Sequence, residues 1–290
     1  MTYSTLEFER HDHVALVRLN RPDTLNALSG QLQAELHDAI AEVRGDDEIR
    51  VFVLTGTGRG FSSGADLSRR RDRETSGGGG TDGAGTDGGN GERSARPEPP
   101  AQSQSQRLDE FGWVGRQATA VYGLDKPTIA AVNGVAAGAG MSLALACDIR
   151  IGGPSARFKT VFIERNLSPD SGMSWFLPRI VGYSRAADLV FTSRGVEAEE
   201  AHRIGLLDRF VPTDEELLPA ALALAADIAQ WPPLAMRSAK RVLQNNMNVG
   251  LADGLRYEMF GLSFARKATN DAAESFRSFV EKRKPNFTGT

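Results

Sequence analysis

The chain has little cysteine, little excess charge and no long uninterrupted apolar run, and each shortage excludes a class of protein. Cys147 is the only cysteine in 290 residues, so no internal disulfide can form and nothing requires an oxidising compartment. The 34 Lys and Arg nearly balance the 37 Asp and Glu, and a net charge of −3 provides no positive field to hold nucleic acid or an anionic membrane. The longest apolar stretch, Ile129–Ala146, is interrupted by Asn133, Ser142 and three glycines, which is unlike a membrane-spanning helix.

Two further shortages concern targeting and metal binding. Residues 1–14 contain neither the basic nor the apolar segment of a signal peptide. The four histidines show no ligand spacing, so no metal site is expected. Since 40% of the residues are hydrophobic and 24% are charged, we expect a soluble, globular, cytoplasmic protein with no nucleic-acid or membrane partner.

The apolar pattern predicts strands and helices in alternation. Thr5–Arg10 alternates apolar and polar residues and Val14–Leu19 is rich in branched residues, which predicts a hairpin. A helix capped by Ser29 is indicated by apolar residues at helical spacing, namely Leu32, Leu36, Ile40 and Val43. Val51–Thr55 and Thr128–Val132 are unalternating apolar runs, typical of strands buried in a parallel sheet.

Residues 68–107 interrupt this pattern. They contain no aromatic residue and no Val, Leu, Ile or Met, and they are rich in Gly, Ser, Pro and Gln, so they cannot bury enough surface to offset the entropy of ordering. We interpret them as a flexible insertion. After Val211 the pattern is helical to the end of the chain. The prediction is an α/β core at 1–211 with a C-terminal helical oligomerisation subdomain at 212–290.

Two glycine-containing turns follow buried strands, and the residues alone leave their role open. At the first turn, Phe61–Leu67, the residues Gly60–Gly64 fit the serine-elbow pattern G-x-S-x-G around Ser62, but the preceding strand ends too early for such an elbow. Asn133–Ser142 contains Gly138-Ala-Gly140, but the third glycine of a dinucleotide fingerprint is missing. Small residues would let these turns aim two N–H groups at one ligand oxygen, or would serve only tight packing of helix on strand.

Five segments in order resemble the enoyl-CoA hydratase/isomerase (crotonase) superfamily. The segments are Asn20–Pro22, Leu25–Leu28, Arg59–Asp66, Lys126–Gly134 and Leu143–Arg150. The resemblance covers nearly the whole chain. It implies a crotonase-like α/β spiral of ββα units, a homotrimer or a hexamer made of two trimers, and an acyl-CoA thioester substrate. Coenzyme A would be part of that substrate, and no separate cofactor is expected.

The resemblance also implies a site. Its oxyanion hole carries over to the backbone N–H groups of Ala65 and Ala139. The residues implied to contact the substrate or its CoA arm are Ala27, Ser63, Gly64, Asp66, Leu67, Ser68, Gly138, Gly140, Ser142, Phe162 and Trp175.

The chain departs from the family hydratases at both of their catalytic glutamates. The resemblance puts these glutamates at positions held here by Ser142 and Phe162, and Glu164 is two residues away from the second position. A water molecule would then have neither a base nor an acid to relay its proton. A different carboxylate, Asp170, follows Pro169. It is the position at which isomerases of the family carry their acid, although a cap on the following helix is the alternative.

The closest branch, by resemblance, is that of the enoyl-CoA isomerases and the ring-epoxide isomerase of phenylacetate breakdown. Four segments carry this likeness, namely Val135–Gly140, Pro169–Gly172, Leu177–Gly182 and Phe287–Gly289. We therefore expect an acyl-CoA isomerase with Asp170 as its catalytic acid and base. The alternatives are an enoyl-CoA hydratase (a lyase) of fatty-acid or aromatic degradation, a catalytically silent acyl-CoA-binding relative and, more remotely, a serine hydrolase.

Overall fold

An antiparallel hairpin and a capped helix begin the fold in the computed structural model, which describes residues 3–66 and 107–290. Strand β1 (Leu6–His11) pairs antiparallel with β2 (Val14–Leu19), and β3 (Val51–Gly56) then adds parallel to β2. Helix α1 (Gly30–Gly45) connects β2 to β3, and the Ser29 hydroxyl accepts a hydrogen bond from the amide of Leu32 at its first turn. The predicted hairpin, helix and cap are confirmed.

From β3 onward the chain places paired strands alternately in two sheets. The large sheet has the order β1-β2-β3-β5-β7-β10 and the small sheet β4-β6-β8-β9. The strands are β4 (Gly60–Ser62), β5 (Thr128–Val132), β6 (Val135–Ala137), β7 (Ile149–Gly152), β8 (Arg157–Lys159), β9 (Val196–Glu197) and β10 (Arg209–Phe210). The first strand of each pair, β3, β5 or β7, joins the large sheet, and the second, β4, β6 or β8, joins the small one. This alternation confirms the predicted spiral.

Helices follow the strand pairs and fill the C-terminal part of the chain. They are α2 (Gly112–Tyr122), α3 (Ala139–Leu145), α4 (Met173–Val181), α5 (Tyr183–Thr192), α6 (Ala198–Ile204), α7 (Leu217–Ala229), α8 (Pro233–Asn246), α9 (Leu251–Ala265) and α10 (Thr269–Glu281). Short 3-10 turns occur at Pro22–Thr24, Ile163–Arg165 and Asp214–Glu216. The predicted helical region after Val211 is confirmed.

Both faces of the large sheet are buried, because the side chains of its central strands alternate between two apolar clusters. Phe52 and Leu54 of β3 pack in a cluster with α1 and α3, whereas Val51 and Val53 pack against α7 on the other face. Full burial of one such side chain contributes about 1.5–3 kcal/mol. The two-sided burial explains why β3 and β5 lack alternation in the sequence.

Three short strands correct the sequence-based interpretation of the glycine turns. The sequence pattern indicated turns where the structure has β4 and β6, and it indicated no strand at β8; each of the three has only three residues. A strand of that length shows too few residues for alternation to be recognised. These strands lie directly beside the predicted oxyanion turns and hold both of them.

The predicted insertion at 68–107 lies outside the described residues except for Arg107. The described residues up to Ala65 and from Trp113 onward form one compact unit, and Asp66 together with Arg107–Gly112 belongs to a second. In that second unit the Asp109 carboxylate accepts hydrogen bonds from the amides of Phe111 and Gly112. The insertion and the division at 211 stay predictions.

Among the described residues, no single helix is long and apolar enough to cross a bilayer. One pair of helical segments together has the length and composition of a span but is bent by 105°, namely Asp214–Ala229 and Pro233–Asn246.

Candidate active site

Asn26 organises the first turn of the site. Its side chain is fully buried, and its amide nitrogen donates to the carbonyl oxygens of Thr57 (3.0 Å) and Gly60 (2.7 Å) while its Oδ1 accepts the amide of Arg21 (2.8 Å). The residue adopts a left-handed backbone with φ of 57°, which Asn tolerates better than most residues. These bonds tie the segment before α1 to the β3–β4 turn, and so fix the position of Ala27.

Ala65 is positioned by a short parallel pairing with this same segment. The carbonyl oxygen of Gly64 accepts a hydrogen bond from the amide of Leu28 at 2.8 Å, and Ala65 forms a parallel β-bridge with Leu28. Ser63 is held by its amide, which donates to Leu25, and by its hydroxyl, which donates to Thr24.

The second turn lies directly against the first. Ala139 begins α3, following Gly138 with its positive φ of 49°. A Cβ placed on Gly64 would lie 2.7 Å from the carbonyl oxygen of Ala137 and 3.3 Å from the amide nitrogen of Ala139. Gly64 also has φ of 92°, so only glycine allows both this backbone conformation and this close approach. A Cβ on Gly140 would overlap the carbonyl oxygen of Ser62.

The amides of Ala65 and Ala139 are the groups expected to form the oxyanion hole. Neither donates a hydrogen bond to a backbone acceptor within residues 3–66 and 107–290. Ala139 is the first residue of a helix, where amide groups have no intrahelical acceptor and the helix dipole is positive. The structure therefore brings two adjacent turns together, each with an amide available to an external oxygen.

Asp170 lies next to the helix that carries Ala139. The hydroxyl of Ser142, three residues after Ala139 on α3, lies 3.5 Å from the main-chain carbonyl oxygen of Asp170. Three residues are less than one turn of an α-helix, so the main chain of Asp170 contacts the same first turn that Ala139 begins. Ser142 itself is 1% exposed. The predicted oxyanion turn and the predicted acid are thus neighbours in space.

The Asp170 carboxylate does not cap the helix that follows. The N-cap of α4 is Gly172, with no side-chain capping bond, and α4 begins at Met173. The Asp170 side chain is half-buried, and its Oδ1 accepts a hydrogen bond from the Ser171 hydroxyl at 2.8 Å. The alternative interpretation of Asp170 as a helix cap is therefore wrong, and its carboxylate is available for chemistry.

An aromatic cluster packs behind the Asp170 turn. The ring of Trp175 meets Tyr122 edge-on at 5.1 Å and Phe176 at 5.0 Å, and the guanidinium of Arg179 lies 4.1 Å from the Trp175 ring centroid. Phe162 is 4% exposed and belongs to the same apolar cluster as Phe176. Apart from the Arg179 guanidinium and the Tyr122 hydroxyl, these groups are apolar, so this side of the Asp170 turn offers few groups that could hold a water molecule.

The other substrate-contact residues are in part described. Ala27 is buried, and its carbonyl oxygen accepts a hydrogen bond from the guanidinium of Arg21 at 2.5 Å. Asp66 is half-buried, whereas Leu67 and Ser68 lie outside the described residues.

Several nucleophiles and carboxylates near the site have other roles. Ser62 is fully buried and its hydroxyl donates to the carbonyl of Asn26 at 2.9 Å, which excludes the serine-hydrolase alternative. Burial raises the pKa of the Cys147 thiol to about 12. Glu164 is exposed and pairs with Lys159 at 2.6 Å, a hydrogen bond that lowers the pKa of this carboxyl. Glu164 therefore does not replace the missing hydratase glutamate.

Two residues of the site were not identified from the sequence. Asn26 was recognised only as part of a motif and Ser171 was not singled out. The signal for both is the same, since each is a small polar residue in a turn segment, where left-handed backbone and local hydrogen bonding are common.

Comparisons with known proteins identify the family of this chain. The family model described as enoyl-CoA hydratase/isomerase matches residues 9–88 and 96–290. The chain is 34% identical over 290 residues to the probable enoyl-CoA hydratase echA8 of Mycobacterium bovis, covering 99% of both chains. It is 31% identical to the crotonyl-CoA hydratase of Syntrophomonas wolfei, covering 99% of both.

A solved structure extends the comparison to the fold. The crystal structure of enoyl-CoA hydratase from Bacillus anthracis superimposes with a TM-score of 0.83 at 30% identity, covering 99% of this chain and 100% of that one. The chain belongs to the enoyl-CoA hydratase/isomerase family.

Proposed function

We propose that the protein moves the double bond of an unsaturated acyl-CoA thioester, with Asp170 as the proton carrier and the amides of Ala65 and Ala139 as the oxyanion hole. The observation that carries this proposal is the contact between Ser142 and Asp170. It puts the main chain of Asp170 against the helix that begins at Ala139, at the position where the resemblance expects the first hydratase glutamate and this chain has a serine.

The two hydratase positions cannot support hydration. The buried side chains at these positions are the hydroxyl of Ser142 and the ring of Phe162, so neither provides a charged group to hold the water. Neither side chain can exchange a proton at neutral pH. Adding water across a double bond needs one group to take a proton from the water and one to deliver a proton to carbon. Of these two reactions, isomerisation is the one that a single carboxylate can carry out, by removing a proton from one carbon and returning it to another.

The proposed reaction balances with Asp170 alone. The carboxylate removes a proton from the α-carbon of a β,γ-unsaturated thioester, and the electron pair of the broken C–H bond forms the enolate. The two amides stabilise the negative charge on the thioester oxygen. Protonated Asp170 then delivers the proton to the γ-carbon, which leaves an α,β-unsaturated thioester and a regenerated carboxylate.

The names of the relatives point to a hydratase, and this is the alternative that a test must address. The similar proteins from Mycobacterium bovis and Syntrophomonas wolfei are both named as hydratases. The side chains of this chain favour isomerisation. Hydration needs two acid–base groups, whereas Ser142, Phe162 and Asp170 together provide one carboxylate, that of Asp170. A ring-epoxide acyl-CoA would place a similar enolate in the same hole and belongs in the substrate panel.

The decisive experiment compares Asp170→Asn with the matched control Glu164→Gln. Both remove one carboxylate and differ in location, since Glu164 faces solvent with Lys159. With a β,γ-enoyl-CoA we expect Asp170→Asn to lower isomerase turnover at least about 100-fold and Glu164→Gln to leave it unchanged. Conversion is followed by the absorbance of the conjugated thioester, and exchange at the α-carbon by NMR in deuterium oxide.

Each alternative has its own signature in the same assay. A hydratase would consume an α,β-enoyl-CoA faster than it forms one. A silent acyl-CoA-binding protein would bind the ester without exchanging the α-proton. Full activity of Asp170→Asn would refute the assignment of Asp170.

A further inference from the structure

We infer that Ser171 is a positioning residue for the Asp170 carboxylate, holding one oxygen so that the other carries the proton between the two carbon atoms. This inference rests on the proposed isomerase function. Ser171 is 3% exposed, and its hydroxyl donates to Oδ1 of Asp170 at 2.8 Å. A buried hydroxyl next to a half-buried carboxylate makes a charge-assisted hydrogen bond, which is stronger than a neutral one.

The backbone at Ser171 is strained in a way that serves this contact. Ser171 has φ of 54° and the next residue, Gly172, has φ of 82°, so two consecutive residues adopt the left-handed conformation. This conformation is strained for a residue with a Cβ, whereas glycine adopts it freely. If Ser171 served only to make the turn, glycine would be the less strained choice there. The hydroxyl is the feature that serine adds.

The remaining atoms of Asp170 are held in a manner consistent with this role. Its main-chain carbonyl accepts the amide of Met173 at 2.9 Å and lies 3.5 Å from the hydroxyl of Ser142. With Ser171 on Oδ1, both the main chain and one carboxylate oxygen are fixed. Within the described residues Oδ2 has no hydrogen-bond partner, so it is the oxygen open to the substrate. A carboxylate that cannot rotate can serve both carbons from one side of the acyl chain.

The test uses two substitutions that share the loss of the hydroxyl and differ in backbone strain. Ser171→Ala keeps the strain of the left-handed residue, and Ser171→Gly relieves it. Ser174→Ala, at an exposed position in α4, is the matched control. For each protein we would measure kcat and KM with a β,γ-enoyl-CoA, the rate of α-proton exchange, and Tm.

A positioning role predicts that both Ser171 variants lose about tenfold in kcat and in exchange rate, with KM within about twofold of the unaltered protein. The loss should persist in Ser171→Gly even though its Tm equals or exceeds that of the unaltered protein. A purely structural role predicts the opposite order, with Ser171→Gly fully active. Unchanged kcat in either variant would overturn the inference while leaving the isomerase function intact. Absence of α-proton exchange in the unaltered protein would overturn both.

Discussion

Replacement of Asn26 by alanine tests how the oxyanion turn is held in place. Asn26→Ala removes three hydrogen bonds. The side chain of Asn26 accepts one from the amide of Arg21 and donates two, to the carbonyls of Thr57 and Gly60. Gly60 also accepts from the Asn133 side chain at 3.2 Å, so it keeps a partner. The amide of Arg21 and the carbonyl of Thr57 therefore each lose their hydrogen bond to the fully buried side chain of Asn26.

The size of the effect follows from these losses. Each polar group left unsatisfied in a buried position costs about 1–3 kcal/mol. Alanine at φ of 57° adds about 0.5–1 kcal/mol relative to asparagine. The sum is a destabilisation of about 2.5–7 kcal/mol, which corresponds to a fall in Tm of roughly 5–28 °C for a chain of this size. Because Ala27 follows directly, activity should fall as well.

Thermal unfolding at one protein concentration and scan rate measures this effect. The control is Asn20→Ala, which removes a single exposed bond to Glu7 and should change stability by less than about 0.5 kcal/mol. If Asn26→Ala lowers Tm by less than about 3 °C, the buried network does not hold the turn and the reasoning is refuted.

Three further outcomes are expected. Met259 and other apolar side chains of α9 are exposed in the single chain, and we propose that they pack in a trimer or hexamer, so light scattering should give a mass of three or six chains and Met259→Glu should lower it. Replacement of residues 68–107 by a short linker should shift Tm by only a few degrees, and a fall of about 10 °C would contradict the predicted insertion. Burial alone would raise the pKa of Glu35, but hydroxyl and amide donors of Thr5 and Ser4 bring it to about 2. Its folded pKa is therefore depressed, and the stability it contributes is present above the ordinary Glu pKa and lost as the pH falls towards 2. Urea unfolding between pH 5 and pH 2 should show a weaker pH dependence for Glu35→Gln, and an unchanged slope would contradict this.

Local sequence determined the longer elements of this protein. The hairpin β1–β2, the cap at Ser29 and strand β3 were predicted with bounds close to those observed, because each has several residues of clear periodicity or a local capping signal. The segments resembling the family also predicted which turns carry the oxyanion amides. They identified Asp170 as a carboxylate of interest from its place after Pro169.

The geometry of the site depended on the tertiary structure. Ala65, Ala139 and Asp170 are far apart in sequence, and only the alternation of strands between the two sheets makes their segments neighbours. Strands of three residues leave no periodic signal, so β4 and β6 could not be distinguished from turns.

Whether Asp170 caps a helix was decided by tertiary contacts. The residues alone favoured a helix cap, and the resemblance to the family's isomerases favoured a catalytic acid. In the folded chain Gly172 takes the cap position, and two left-handed residues turn the Ser171 hydroxyl onto the carboxylate. A left-handed conformation at a non-glycine residue is imposed by the surrounding packing rather than by local preference, so no sequence pattern predicts it.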